Sequence, residues 1–218
     1  MILLSFFSRT NIFCFTALWI IAVIGMFLLP YDAQVPIVWS PFAGKPIVFA
    51  PGWLSVLVLP LLALFLTTIL GVSGLMYSKK DFESGRHVFH VSVNGFLCMM
   101  LVLECTLIFI GRGGDIYYPK VAALLAGGLL VVIGNILPKS QPSRLIGVAL
   151  QRAVHDPANW RITHRWTGRF MVFTGLVLIV LALTVLDGPG LFMGVFTAFT
   201  VPMIAGITLS YFASRNKN

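Results

Sequence analysis

Six apolar runs, each about as long as a membrane-crossing helix, constrain this chain more than any other feature of its sequence. A helix that crosses the hydrocarbon core needs about 20 apolar residues, and only helices or closed barrels satisfy their backbone hydrogen bonds there. Charged residues make up only 10% of the chain, against about 25% in soluble domains. The sequence therefore predicts an all-α, polytopic membrane protein with six transmembrane helices. The predicted helices cover residues 12–29, 54–76, 88–110, 121–137, 170–186 and 190–211.

The connections between these runs favour one integral membrane domain over residues 1–218. The first run resembles a signal peptide, but it is long and no small-residue cleavage motif follows it, so we expect it to remain as the first helix. We divide the domain into a first helix pair with an outer loop (1–80), helices three and four (81–137), a basic connector (138–169) and a last helix pair (170–218).

The basic residues predict how the helices are oriented. If the N-terminus lies inside the cell, the inner segments hold twelve of the fifteen Lys and Arg residues, and the outer segments hold only Lys45, Arg112 and Lys120. Basic loops stay on the cytoplasmic side, so both termini are predicted to be cytoplasmic. The formal net charge of +8 then fits contact with anionic membrane lipids, and direct nucleic-acid binding is not expected.

The first outer loop, residues 30–53, is rich in proline and aromatic residues. Prolines recur every five residues from Pro36 to Pro51, which excludes a regular helix and favours an extended loop that lies on the membrane. Trp39 and Trp53 are expected at the depth of the lipid headgroups. The loop is either an interfacial connector or a binding loop for something outside the cell.

The third helix carries a polar stripe that includes the only acid well inside an apolar run. At 100° per residue, His87, His90, Asn94 and Glu104 fall on one side of this helix. A carboxyl in lipid is costly, so Glu104 should face the bundle interior, either protonated or ion-paired. The stripe is either a ligand or proton site, or a set of hydrogen bonds to neighbouring helices. His87 and His90 lack an assignable third ligand, so neither a metal nor any other cofactor is predicted.

The basic connector divides into two helical parts. Residues Arg144 to His155 are amphipathic if helical, which predicts an interfacial helix between helices four and five. Asp156 followed by Pro157 is typical of a helix start. The second helix is predicted to continue from Pro157 into the fifth apolar run, giving about 30 residues.

This second helix has a basic face and a second polar face. Arg161, Arg165 and Arg169 recur at every fourth position and suit lipid phosphates, while Trp160 and His164 lie on the other side. His164 could act as an acid or base. No nucleophile or acid partner can be assigned to it from the sequence, so no catalytic residue is predicted.

Two motifs in this region resemble the SdpI family of bacterial membrane proteins, named for the immunity protein against a sporulation-delaying peptide toxin. They are Gly134-Asn135-Ile136-Leu137-Pro138-Lys139 and Trp160-Arg161-x-Thr163-His164-Arg165-x-x-Gly168-Arg169. The first outer loop, from Val35-Pro36 to Trp39, is similar to a poorly characterised N-terminal domain that often accompanies this family.

The resemblance implies a non-enzymatic protein of the bacterial inner membrane. Such a protein would protect the cell against a secreted antibacterial peptide and relay its presence to a cytoplasmic repressor. The outer loop would meet the peptide and the basic connector would face the repressor. The motifs and the polar stripe give these candidate partner- or ligand-binding residues: Asn94, Glu104, Asn135, Pro138, Trp160, Arg161, Thr163, His164 and Arg165.

Two other functions remain open from the sequence. An intramembrane enzyme or transporter would use Glu104, Asn94 and His164 in one water-accessible cavity, and would need these groups within about 10 Å of one another. A structural or assembly factor predicts no polar cavity at all.

Overall fold

The computed structural model describes residues 7–74, 79–143 and 154–215. Within these residues it contains six long helices, each long and apolar enough to cross a membrane, which confirms the predicted all-α class. The helices are α1 (Arg9–Leu28), α2 (Gly52–Gly74), α3 (Lys79–Gly111), α4 (Tyr118–Ile136), α5 (Pro157–Thr184) and α6 (Pro189–Arg215). A 3-10 turn, Leu137–Lys139, follows α4.

Large apolar side chains cover much of the outside of these helices. Phe13, Phe27 and Phe196 are each mostly exposed, on α1 and α6. In water, so much exposed apolar surface would favour aggregation, whereas lipid is a good solvent for it. The surface therefore suits a multi-pass membrane protein.

Helix α5 begins where the sequence predicts. The Asp156 carboxylate accepts the backbone N–H of Ala158 at 3.0 Å, and Pro157 occupies the first helical position. The helix then continues without a break to Thr184, over 28 residues, which confirms the predicted extension of the fifth apolar run. The interfacial helix predicted before it, from Arg144 to His155, falls mostly on residues 144–153, which lie outside the described residues.

The first outer loop forms a β-hairpin, which the sequence did not predict. Strands β1 (Gln34–Trp39) and β2 (Pro46–Pro51) pair antiparallel, from Gln34 opposite Pro51 to Trp39 opposite Pro46. A two-stranded ribbon has a free edge on each strand, so it tolerates prolines that cannot donate a hydrogen bond. Gly44, between the strands, has a φ of 63°, which suits glycine.

The helices form two halves of three. In the N-terminal half, α1, α2 and α3 pack together, and in the C-terminal half, α4, α5 and α6 do so; α3 and α4 join the halves. We call the end of the bundle that carries β1 and β2 the hairpin face. We call the opposite end, where residues 140–143 and 154–156 lie, the connector face.

The two halves are filled differently. The N-terminal half has a continuous core of large side chains, including Leu18, Val56 and Leu97. The C-terminal half has smaller clusters, and its helices α4 and α5 touch through glycine backbones. A Cβ atom added to Gly134 would lie 2.6 Å from the carbonyl oxygen of Gly168, and one on Gly168 would lie 2.5 Å from that of Gly134.

A second reciprocal contact lies seven residues along each helix. A Cβ atom on Gly127 would lie 2.9 Å from the carbonyl oxygen of Gly175, and one on Gly175 would lie 2.7 Å from that of Gly127. Small residues at such positions let the backbones of membrane helices approach closely. Helices α4 and α5 are therefore held by backbone-to-backbone packing over two helical turns.

The hairpin also connects the two halves. The hydroxyl of Tyr117, just before α4, donates to the carbonyl of Gly44 at 2.7 Å. A side chain at Gly44 would collide with the α-carbon of Gly188, in the turn between α5 and α6. Trp39 of β1 stacks on Tyr118, with ring centroids 4.5 Å apart. The hairpin thus lies against the C-terminal half.

Candidate functional site

The start of α5 presents two chemically different faces. One face is buried among α4, α6 and the 3-10 turn, and the other is exposed. The buried side chains, which we call the α5 cluster, are Asn159, Trp160, Thr163, His164 and Thr167. The exposed side chains are Arg161, Ile162, Arg165, Trp166 and Arg169.

Trp160 fixes the position of His164. Its side chain has no exposed surface, and its indole N–H donates to the carbonyl of Ser140 at 3.0 Å. The two rings stack with centroids 3.7 Å apart. The Nδ1 atom of His164 lies 3.0 Å from the carbonyl oxygen of Trp160. A carbonyl only accepts, so Nδ1 carries the hydrogen of this bond and Nε2 points elsewhere.

Asn159 and Thr163 connect α5 to α6. The Asn159 amide donates to the carbonyl of Ser210 at 3.0 Å, and the Thr163 hydroxyl donates to the Asn159 amide oxygen at 2.9 Å. On the connector side, the Ser143 hydroxyl donates to the carbonyl of Asp81 at 2.6 Å. The connector face is therefore held together by hydrogen bonds among α3, the start of the connector, α5 and α6.

Three buried polar atoms near the α5 cluster lack a hydrogen-bond partner among the described residues. They are Nε2 of His164, Oγ1 of Thr167 and Oγ of Ser210. Buried polar atoms in folded proteins are normally paired with protein or with ordered water. No group of three or more metal-ligating side chains occurs in the part of the chain that the structure describes.

The exposed face of α5 forms a groove of about 580 Å³. Arg161 and Arg165 line it together with Ile162 and Trp166. The guanidinium of Arg169 lies 5.0 Å from the centre of the Trp166 ring, a cation–π contact. This face can bind phosphate or carboxylate groups.

Asn135 and Pro138 lie on a neighbouring surface. Both are exposed at the end of α4 and in the 3-10 turn. Together with Gly168 and Arg169 they line a shallow groove of about 340 Å³. The two motifs that resemble the SdpI family are therefore adjacent in space.

Part of the polar stripe on α3 forms a hydrogen-bonded group with α1. The amide nitrogen of Asn11 lies 2.8 Å from the side-chain oxygen of Asn94, and the Asn11 amide oxygen lies 3.0 Å from Nδ1 of His90. Arg86 donates to Nε2 of His90 at 3.3 Å. His87 is exposed and is not part of this group.

Glu104 is separate from that group. It is fully buried, and neither carboxyl oxygen accepts a hydrogen bond within the described ranges. It lies ten residues beyond Asn94 on α3, which is about 15 Å along the helix axis. His164 belongs to α5, whereas α3 packs mainly on α1, α2 and α4. This arrangement does not provide the single polar cavity that an enzyme or transporter built on these residues would need.

An apolar cleft of about 600 Å³ opens at the hairpin face. Trp39 and Tyr118 lie at its outer end, and the alanines of α4 line its floor, including Ala122 and Ala126. Phe196 and other large side chains of α6 form one wall, and α3 contributes part of the lining. The cleft can hold an apolar chain.

Several residues of these sites were not identified from the sequence. Asn11, Ser140 and Ser210 act through contacts between separate segments of the chain, which no single-segment pattern reveals. Asn159, by contrast, could have been identified from the sequence. It begins a polar stripe with Thr163 and Thr167 at four-residue spacing on a helix whose opposite face is basic.

Comparison with known protein families finds one match. The SdpI/YfhL protein family matches residues 139–210, a range that contains the α5 cluster, the exposed arginines and most of α6. Comparisons with curated proteins and with solved structures found no significant match. The match confirms the resemblance predicted from the two motifs. Residues 139–210 are therefore similar to the SdpI/YfhL family, within a chain whose six long apolar helices suit a multi-pass membrane protein.

Proposed function

We propose that this protein lies in the bacterial inner membrane and protects the cell against a secreted antibacterial peptide. The match to the SdpI/YfhL family over residues 139–210 is the observation that carries this proposal. The matched range includes both faces of the start of α5, where the polar contacts of the C-terminal half are concentrated.

The distribution of charge supports an orientation with both termini in the cytoplasm. Arg161, Arg165 and Arg169 lie toward the connector face, whereas the hairpin face has only Lys45, Arg112 and Lys120. Bacterial membrane proteins keep their basic segments inside. In this orientation the hairpin face meets the outside of the cell.

The apolar cleft at the hairpin face is the proposed contact site for the peptide. A peptide that attacks membranes presents apolar side chains, and the cleft offers a matching apolar and aromatic lining open to the lipid. Trp39 supplies a rigid aromatic surface at its outer end, where it is stacked on Tyr118.

The exposed arginines are the proposed contact for a cytoplasmic repressor. Trp160, Thr163 and His164 have no exposed surface, so a partner at this face would touch Arg161 and Arg165 instead. The buried side chains would act indirectly, by fixing how α5 presents its arginines.

Survival on peptide challenge tests the proposal. The full-length protein is expressed in a toxin-sensitive bacterium, its membrane insertion is confirmed, and the cells are exposed to the candidate peptide encoded beside its gene. Immunity predicts a clear gain in survival. No gain from the correctly inserted protein would overturn the proposed function.

A matched pair of tryptophans tests the cleft. Trp39→Ala removes the stacked ring at the outer end of the cleft and should reduce protection. Trp53→Ala removes a half-exposed ring that does not line the cleft and should leave protection unchanged. Equal protection by both variants would exclude this contact site.

Substitution of the arginines tests the relay separately. In Arg161→Ala/Arg165→Ala the protein should still protect the cell but should no longer bring the repressor to the membrane, as followed by the location of a fluorescently tagged repressor. Unchanged recruitment would exclude this surface as its contact.

A further inference from the structure

Glu104 is a buried carboxyl for which the proposed function has no use. It lies seven residues before the end of α3, in the part of the bundle nearer the hairpin face. Its side chain has no exposed surface, and neither carboxyl oxygen accepts a hydrogen bond from residues 7–74, 79–143 and 154–215. An ionised carboxylate in such a place would lose its hydration without compensation.

The contacts between α1 and α3 show which residues of α1 lie at the same level of the bundle as Glu104. Asn11 bonds to Asn94, the sulfur of Cys14 lies 3.9 Å from that of Cys98, and Gly25 touches Ile108. Helices α1 and α3 are therefore parallel. Glu104 lies one turn from Ile108 toward the connector face, beside an apolar stretch of α1.

Helix α2 brings a proline to the same level. A Cβ atom on Gly25 would lie 2.7 Å from the Ile108 side chain and 3.0 Å from that of Val56, so these two side chains meet at Gly25. Helix α2 is antiparallel to α3, so residues that follow Val56 on α2 lie level with residues that precede Ile108 on α3. Pro60, four residues after Val56, therefore lies level with Glu104, four residues before Ile108.

Pro60 leaves the backbone of α2 with an incomplete hydrogen bond. Proline has no N–H, so the carbonyl of Val56 lacks its usual donor four residues later. Pro60 is buried and Val56, one turn before it, has no exposed surface, so this part of α2 faces the other helices. Carbonyls point along the helix toward its C-terminus, so that of Val56 is directed toward the level of Glu104. Within an apolar bundle an unpaired carbonyl is costly.

We infer that Glu104 is a proton-binding site, held as the neutral carboxylic acid, whose O–H donates to the Val56 carbonyl that Pro60 leaves without a donor. A carboxylate cannot fill this role because it only accepts hydrogen bonds, whereas the protonated acid has one hydrogen to donate. The protonated acid thus supplies the hydrogen bond that the Val56 carbonyl lacks, and it links α3 to α2 inside the N-terminal half.

Few other groups can influence this proton. Cys105 is adjacent on α3, and Tyr118 of α4 is close enough to interact electrostatically with Glu104. Helix α1 has Arg9 as its only charged residue, at the opposite end, and α2 has none. No cation is therefore available from α1 or α2 to stabilise a charged Glu104.

Infrared spectroscopy of the full-length protein in lipid nanodiscs tests the protonation state. A neutral carboxyl gives a C=O band distinct from those of carboxylates. The wild type should show this band at pH 7, and Glu104→Gln should remove it. Glu83→Gln, which changes an exposed glutamate near the start of α3, should leave it in place. A wild-type spectrum without the band, or one that Glu104→Gln does not alter, would overturn the proton site.

A second variant tests the hydrogen bond to Val56. Pro60→Ala restores an N–H to α2, so the carbonyl of Val56 regains a helical donor and the acid loses its acceptor. The Glu104 band should then shift to higher frequency, as expected for a weaker hydrogen bond. A band at the wild-type frequency in Pro60→Ala would exclude Val56 as the acceptor. Dicyclohexylcarbodiimide, which reacts with protonated carboxyls in apolar surroundings, should label Glu104 in the wild type but leave Glu83 unlabelled.

Discussion

The two halves of the bundle obtain close packing in different ways. Helices α1 to α3 interlock large side chains such as Leu18 and Leu97 around a continuous core. Helices α4 and α5 instead bring their backbones together at paired glycines, and α5 adds a buried polar cluster. A side-chain core can rearrange when one residue changes, but a backbone contact has no such freedom. The family match covers α5 and most of α6 in this second half, whereas Gly127 and Gly134 of α4 precede the matched range.

The largest effect is expected at Trp160, because it fills a fully buried site and donates to Ser140. Trp160→Ala should lower the free energy of unfolding by about 4 kcal/mol. Trp166→Ala, on the exposed face of the same helix, should change it by about 0.5 kcal/mol. Denaturant unfolding in detergent micelles measures both. Similar losses in the two variants would show that burial of Trp160 does not organise this half.

The next largest loss in the free energy of unfolding is expected at the paired glycines of α4 and α5. Gly134→Ala places a methyl group against the backbone of α5 and should cost about 3 kcal/mol. Gly128→Ala is the matched control on the same helix, because nothing lies within 4 Å of its Cβ position. The control should be neutral or slightly stabilising, since alanine favours helix more than glycine does. If both variants unfold alike, backbone contact does not distinguish the C-terminal half.

A smaller effect is expected in the core of the N-terminal half. Leu18→Met conserves volume and should cost about 1 kcal/mol, because neighbouring side chains can adjust around the flexible thioether. The same unfolding measurement applies. A cost above that of Gly134→Ala would reverse the comparison between the halves.

Effects no larger than that of Leu18→Met are expected at the helix starts, where the two halves are alike. The Ser8 hydroxyl accepts the N–H of Asn11 in α1, and Asp156 accepts the N–H of Ala158 in α5. Ser8→Ala and Asp156→Ala should each cost about 1 kcal/mol. Asn substitutions at the same positions should retain most of the stability. A large difference between the two caps would mean that more than local capping acts at one of them.

The sequence predicted those features that depend on one segment alone. The apolar runs located all six helices, and Asp156-Pro157 located the start of α5. Helix α3 begins at Lys79, nine residues before the predicted start at Val88, because polarity marks where a helix leaves lipid and not where it ends. The strand pairing of the hairpin depends on Gly44 and on the contact of Trp39 with Tyr118, which is distant in sequence.

The candidate sites were predictable only in part. The helical wheel placed His90, Asn94 and Glu104 on one side of α3, but angle alone does not give distance along the axis. Asn11 completes the group around Asn94 because α1 and α3 happen to be aligned there, and Gly168 pairs with Gly134 for a similar reason. Such alignments between helices are set by packing of the whole bundle, so they leave no mark in a single segment.

The contact between Gly44 and Gly188 has a mechanical consequence. It joins the halves at the hairpin face, and the short connection between α3 and α4 joins them at the same end. A relative movement of the two halves that preserves both contacts is a rotation about the hairpin face. Such a rotation would move the connector face most, and the hydrogen bond from the Ser143 hydroxyl to the carbonyl of Asp81 opposes it there by joining the connector to α3.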